Sequence, residues 1–339
     1  MKTPTSVSHR RAACPPKFLV QDLRLMLPRR LRQLELNLKS GTTEERLADI
    51  DELGKSRQAY ALDLLFATAN GDNQTLAHAA EKSFLAFATA NPKTALRHAS
   101  MLIRHESAFV LGENKVVGAI DELARIVRND AEEVLRLVCV QALGRIGVVQ
   151  CVPGLRLALH DAVLKVRQDA FEALRAIGGI AVQDAVADLL EDYNWELRRR
   201  AFELLQSTGW FPITRPQKAA FGIAEGRFDA VVTQGSEAVE SLLTATLRVN
   251  DPEVRRWSAV ALARIGSQDV RRKLRGALAH PSADVRAAAA EALKAFGESS
   301  QAWLKRTTSV DDKKPDRRAE SVGCAFQAAT WFLGLLGHP

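Results

Sequence analysis

VRRWSAVALARIG occupies residues 254–266, with Asp251-Pro252 just upstream. Counting Val254 as position zero, apolar or small residues fall at zero, four, eight and eleven: Val254, Ser258, Leu262 and Ile265. That spacing puts them on one stripe of a helix. Asp251 suits the N-cap and Pro252 the first turn, where the missing N–H costs nothing. Gly266 at position twelve can take the left-handed conformation that closes a helix. The stretch therefore reads as one amphipathic helix with its own start and stop.

The same pattern recurs without gaps as LRLVCVQALGRIG (135–147), VRQDAFEALRAIG (166–178), LRRRAFELLQSTG (197–209) and VRAAAAEALKAFG (285–297). Position eight is always leucine: Leu143, Leu174, Leu205, Leu262 and Leu293. The starts are spaced 31, 31, 57 and 31 residues apart, so one boundary carries an insertion. Weaker copies begin at Glu45, Leu76 and Ile103. A second amphipathic segment precedes the copies, for example ALDLLFATA (61–69) or AVESLLTATL (238–247). Each unit is a helix pair. One pair cannot bury both apolar faces, so pairs must stack on their neighbours.

The pattern V-R-x-x-A-A-x-A-L-x-x-I-G resembles the HEAT-repeat family, in particular the short HEAT-like repeats of phycobilin lyases, over about residues 42–298. The resemblance implies an all-α, right-handed α-solenoid of stacked HEAT-like (armadillo-like) helix pairs. It also implies that the position-one arginines, Arg136, Arg167, Arg198, Arg255 and Arg286, form a structural ladder between adjacent units.

Around this array the chain reads as four parts. Residues 1–40 are a basic arm ending in a capping helix, and residues 41–298 are the repeat array, with its insertion near 210–236. Residues 299–320 are a polar linker, and residues 321–339 an apolar segment expected to fold back as a cap. Nine Lys and Arg against Asp22 and Glu35 give the arm +7, the whole formal charge of the chain; the remainder is net neutral. Leu23, Leu27, Leu31, Leu34 and Leu38 share a helical face there, with a kink expected at Pro28. Arg24, Arg29, Arg30 and Arg32 would point outward. The longest uncharged stretch, 321–337, would make a helix of about 25 Å, short of a bilayer core. In the insertion, Pro212 and Pro216 break the helix, and Trp210, Phe211, Phe221 and Phe228 are expected to plug the gap between units.

The four cysteines show no CxxC spacing, so neither a disulfide framework nor a zinc site is indicated. Phosphate loops, GxSxG and HExxH are absent from the sequence. IRHESAFVLG (103–112) resembles the repeat helix of deoxyhypusine hydroxylase, a HEAT-like enzyme in which His-Glu pairs at this position hold two irons. Here only His105-Glu106 is complete, and His78 could add one ligand. A dinuclear site needs converging pairs, so metal catalysis is not expected.

Outward positions on the second helices supply the binding candidates: Arg145, Arg175, Arg199, Arg200, Arg256, Trp257, Arg264 and Lys294. The stretch 248–275 carries eight basic residues against three acidic ones. The function expected is a non-catalytic, cytoplasmic scaffold or adaptor, without cofactor, that binds a protein partner through its concave helix face. A nucleic-acid binder using the arm and the 248–275 patch ranks second. A metal- or tetrapyrrole-handling enzyme of lyase or hydroxylase type ranks third. For the apolar segment 321–339, docking on a partner ranks second to capping and membrane attachment third.

Overall fold

The structure, a computed structural model, describes residues 28–297, which hold eighteen α-helices and no strand. The chain divides at Leu111–Gly112 into two compact units, a boundary the repeat register does not reveal. The arm up to residue 27 and the segments beyond 297, including the expected linker and cap, lie outside the described residues.

The first unit holds α1 (Arg29–Ser40), α2 (Thr43–Gly54), α3 (Tyr60–Ala69), α4 (Gln74–Ala90), α5 (Pro92–Leu96) and most of α6 (Met101–Glu113). Pro28 is the N-cap of the first described helix (φ −52°, ψ 137°), and the leucines expected on the other side of a kink there, Leu23 and Leu27, lie outside the described residues. Leu31 and Leu34 are buried, and α1 packs on α2. Thr42 and Glu45 form a reciprocal capping box that starts α2.

The second unit continues with α7 (Ile120–Asn129), α8 (Glu133–Ile146), α9 (Val152–Ala158), α10 (Leu164–Ile177), α11 (Ile180–Ala187), α12 (Trp195–Ser207), α13 (Arg215–Glu225), α14 (Phe228–Val232), α15 (Val239–Arg248), α16 (Pro252–Ile265), α17 (Gln268–Ala277) and α18 (Ala283–Ala295). Successive helices pair, and like helices stack: α7 on α9, α8 on α10 and α16 on α18. The five leucines at position eight are at most 1% exposed. Small residues let the stacked helices approach closely. A Cβ on Gly144 would come within 2.8 Å of the Cβ of Ala173 on the next unit. The Asp251 side chain accepts the N–H of Val254 (2.9 Å), and Gly266 closes α16 at φ +71°. In the copy starting at Ile103 the closing position is Lys115, the one non-glycine with positive φ (+53°) among the described residues.

Two ladder arginines reach across units. Arg136 donates twice to Asp161 (2.6 and 3.0 Å) and also to the carbonyls of Asp130 and Ala131. Arg167 does the same with Asp192 (2.7 and 3.1 Å) and the carbonyls of Asp161 and Ala162. Each aspartate also accepts a backbone N–H two residues on, from Val163 or Asn194. One carboxylate thus shapes its own turn and neutralises the preceding unit's arginine. In the turns before Arg104 and Arg286, His98 and His280 replace the aspartate, their Nδ1 accepting the N–H of Ser100 and Ser282 (3.1 Å each).

The insertion interrupts this ladder. Each acceptor aspartate lies 25 residues beyond its arginine, and 25 residues beyond Arg198 stands Ile223. Arg198 is 1% exposed, and its guanidinium donates twice to the Asp192 carbonyl (2.9 and 3.1 Å). Burial pushes its guanidinium down to about 10, against the pull of Glu191 and Asp192. A buried cation without its own carboxylate adds little net stability, because desolvation offsets the bonds it makes. Arg198→Met is therefore expected to leave the stability within about 1 kcal/mol of wild type. A loss above about 3 kcal/mol in urea denaturation would contradict this.

Beyond the insertion the chain is fastened back. Asn250 donates its N–H to the Tyr193 carbonyl (3.0 Å) and accepts the Trp195 N–H (2.7 Å). Ser241 donates to Glu191 (3.0 Å), and the Arg248 guanidinium lies 3.8 Å from the centre of the Tyr193 ring. Trp210, Phe221 and Phe202 pack together, with ring centroids 4.8 and 5.9 Å apart. Phe211 does not join them. The turn ahead of Pro212 carries it into solvent, so the expectation that it plugs the gap is corrected.

Candidate functional site

The insertion leaves a groove of about 730 Å³ between α14, α16 and the start of α12. Three aromatic side chains line it: Trp195, Phe228 and Trp257. Trp195 and Phe228 are half-buried against the apolar core formed by α13–α18, whereas Trp257 is 51% exposed. Charges of both signs surround the rings. Arg264 pairs with Asp229, Arg227 lies 3.6 Å from Glu225, and Glu253 faces solvent in the first turn of α16. The groove therefore joins rigidly seated aromatic surface to a mixed-charge rim.

Of the candidates proposed from sequence, Trp257 and Arg264 line this groove, and Arg256 is exposed beside Trp257. The others lie along the neighbouring helices, several of them in ion pairs. Arg145 pairs with Glu113 (2.7 Å) and Arg175 with Glu172 (2.8 Å). Arg199 pairs with Glu196 and Glu203 (3.1 and 3.2 Å). Arg200 pairs with Glu172 and lies 5.0 Å over the Phe171 ring. Lys294 is exposed on α18. Arg255 is half-buried, and Arg286 donates to the carbonyls of His280 and Pro281 (2.7 and 2.6 Å). Trp195, Arg227, Phe228 and Asp229 were not singled out as binding residues. Phe228, Arg227 and Asp229 belong to the insertion, where only the aromatic carries a sequence signal, and Trp195 lies upstream of it at the start of α12.

His105 and Glu106 are half-buried on α6, and His78 on α4 is exposed, its Nδ1 3.8 Å from Glu81. Among the described residues no three His, Cys, Asp or Glu gather as a metal-binding group. Cys139 and Cys151 are buried, and burial pushes the Cys151 thiol up. A second cavity, of about 670 Å³ in the first unit, is lined by Tyr60, Asp63, Lys93, Arg97 and His98 among others. Both His98 nitrogens are engaged there, Nε2 with Asp63 (3.2 Å) and Nδ1 with the Ser100 N–H. That imidazole has no free lone pair with which to act as a base. Among the described residues, no helix is long and apolar enough to cross a membrane.

The family model described as HEAT repeats matches residues 120–206 and 238–323, about half of the chain. The chain belongs to the HEAT-repeat family. The second match runs past the last described helix and over the segment expected to be a linker. Solved structures similar to it include human deoxyhypusine hydroxylase in complex with glycerol, at 20% identity over 73% of this chain and 99% of that one, TM-score 0.28. The complex of CpcE and CpcF of phycocyanin lyase from a Nostoc species is similar at 16% identity over 86% and 99%, TM-score 0.28. An engineered protein is similar at 17% identity over 80% and 79%, TM-score 0.31. No curated protein matches the sequence.

Proposed function

We propose that this chain is a non-catalytic HEAT-repeat scaffold, cytoplasmic, that holds a protein partner on the face carrying the outward positions of its second helices. The groove around Trp257 is its anchor. The make-up of that groove carries the reading: two tryptophans, a phenylalanine and arginines within one recess, rimmed by carboxylates. Tryptophan and arginine dominate the binding energy of protein interfaces, and rims of both signs give register and specificity.

Nucleic acid is the second reading, supported by Arg256 standing beside an exposed tryptophan on which a base could stack. It ranks second because many cations of the 248–275 patch already have partners. Arg248 lies on Tyr193 and Arg271 on Phe296. Arg264 pairs with Asp229, Arg272 with Asp269, and Lys273 with Glu240. Paired cations release fewer counterions from a phosphate backbone. The enzyme reading ranks third.

Trp257→Ala tests the choice. The side chain is half exposed, so folding should change by less than about 1 kcal/mol. Affinity for a partner captured by the full chain should fall about 30-fold, as for an anchor worth about 2 kcal/mol. Unchanged capture would refute the groove as anchor. Binding of an unrelated duplex or single strand at about 0.15 M salt, lost on Arg256→Glu, would favour the second reading.

A further inference from the structure

Position fourteen of the repeat, two residues beyond the closing position, is a large exposed apolar residue in four consecutive units. These are Val117 (53% exposed), Val149 (56%), Ile180 (80%) and Phe211 (72%). The row is bounded: the same position holds Ala59 and Ala90 upstream and Gln268 downstream. Isolated apolar residues on a surface need no explanation, but recurrence at one register of a stack does.

The four turns lie on one edge of the second unit. Helices α8 and α10 pack side by side, with Gln141 donating to Asp169 (2.8 Å), and α10 contacts α12 in turn. Gln183 donates to the Thr208 carbonyl (3.2 Å), which ties the segment after Ile180 to the turn before Phe211. Helices packed at about 8–10 Å give a row about 25–30 Å long. Three of the four turns lack charge: residues 147–154, 178–183 and 208–214 contain no Asp, Glu, Lys, Arg or His, and the turn at Val117 carries one charge of each sign, Glu113 and Lys115. The turns at the opposite ends of the same helices are charged, as in NDAEE (129–133) and EDYNWE (191–196).

We propose that this edge is where two copies of the chain associate, antiparallel, about a twofold axis between Val149 and Ile180. Such an interface is isologous, so each residue must tolerate its symmetry mate's surroundings. A charged edge would repel its own copy, and a neutral one does not. The spacings of 32, 31 and 31 residues make the row close to symmetric about its centre. Antiparallel pairing then sets Val149 against Ile180, and Val117 against the larger Phe211. The bounded row favours a closed pair over an open chain. The same neutrality disfavours a nucleic acid or an anionic membrane, both of which call for cations. A strip this short sits at or below the lower limit of stable interfaces, so the dimer is reversible and micromolar. The surface is separate from the Trp257 groove and does not depend on the scaffold reading.

Sedimentation velocity on the full chain over about 1–100 µM should show a monomer passing to a dimer within the range. Ile180→Asp, at an exposed position that tolerates a polar residue, should raise the midpoint at least about tenfold. Trp257→Ala should leave it in place, which separates this proposal from the groove. Mixing Val117→Cys and Phe211→Cys chains should give a disulfide between the two, absent when Val117→Cys chains are alone. A monomer throughout would overturn the proposal, as would a dimer indifferent to Ile180→Asp. So would dimerisation only after removal of residues 321–339, which would make that segment the edge's occupant. Binding to neutral phosphatidylcholine vesicles that Ile180→Asp abolishes would assign the edge to a membrane instead.

Discussion

Asp192→Ala is expected to destabilise the second unit by about 3–5 kcal/mol, measured as the shift in urea midpoint at constant slope. The Arg167 and Asp192 side chains are only 10% and 5% exposed, and they share two hydrogen bonds. Removing the carboxylate leaves the guanidinium buried with two of its donors unpaired. The cost of that uncompensated charge exceeds the modest net value of the intact pair. The turn suffers as well, because Asp192 Oδ1 accepts the Asn194 N–H that sets up the start of α12. Asp192→Asn keeps the shape and one acceptor and should recover part of the loss. Adding Arg167→Met to Asp192→Ala should recover most of it, since the stranded cation goes too. A cost below about 1 kcal/mol for Asp192→Ala, or no recovery in the double variant, would show that the ladder is peripheral.

The repeat register was legible because it rests on period alone. Leucine at position eight and glycine at position twelve are local requirements of a helix that must bury one stripe and then turn. The structure buries Leu143, Leu174, Leu205, Leu262 and Leu293 accordingly. The arginines were equally visible, but their acceptors were not. An acceptor 25 residues on belongs to the next unit's turn, and only the packing of one pair on the next brings it home. The same offset shows why the pattern fails at Arg198: 25 residues on stands Ile223, and the turn position six residues before Arg255 is Val249, neither of them a carboxylate. The histidines at 98 and 280 were unreadable for a related reason. An imidazole in a turn mimics an aspartate only if its Nδ1 faces the N–H two residues on. The groove was half legible. Trp257 stood out as an aromatic on a solvent-facing position, but its companions Trp195 and Phe228 come from segments 62 and 29 residues away. Phe211 misled because an aromatic in an insertion is usually buried, whereas its turn faces outward. The division at Leu111 leaves no trace in the register, since the copy that begins at Ile103 runs straight through it.

Leu262→Ala is the second large effect, expected at about 2–5 kcal/mol. Leu262 is fully buried in the cluster that α13–α18 share, among Val239, Leu243, Val270, Leu274 and Leu293. Helix α16 packs on α14, α15 and α18, so three partners would have to collapse together to refill the space. They are held by opposing constraints. Helix α15 is fastened through Asn250 and Ser241 to the turn before α12, and α14 is short and hemmed by Gly226. Poor relaxation places the cost toward the upper half of the range. Leu157 is the control: it is 37% exposed, and truncating it should change stability by less than about 0.5 kcal/mol. In a stack whose units contact only their neighbours, the damage should also stay local. Amide exchange in Leu262→Ala should speed up through α14–α18, while α7–α10 keep most of their protection. Uniform loss across the second unit would mean that its repeats fold as one cooperative block. A cost below about 1 kcal/mol would mean that position eight is not what holds each pair to the next.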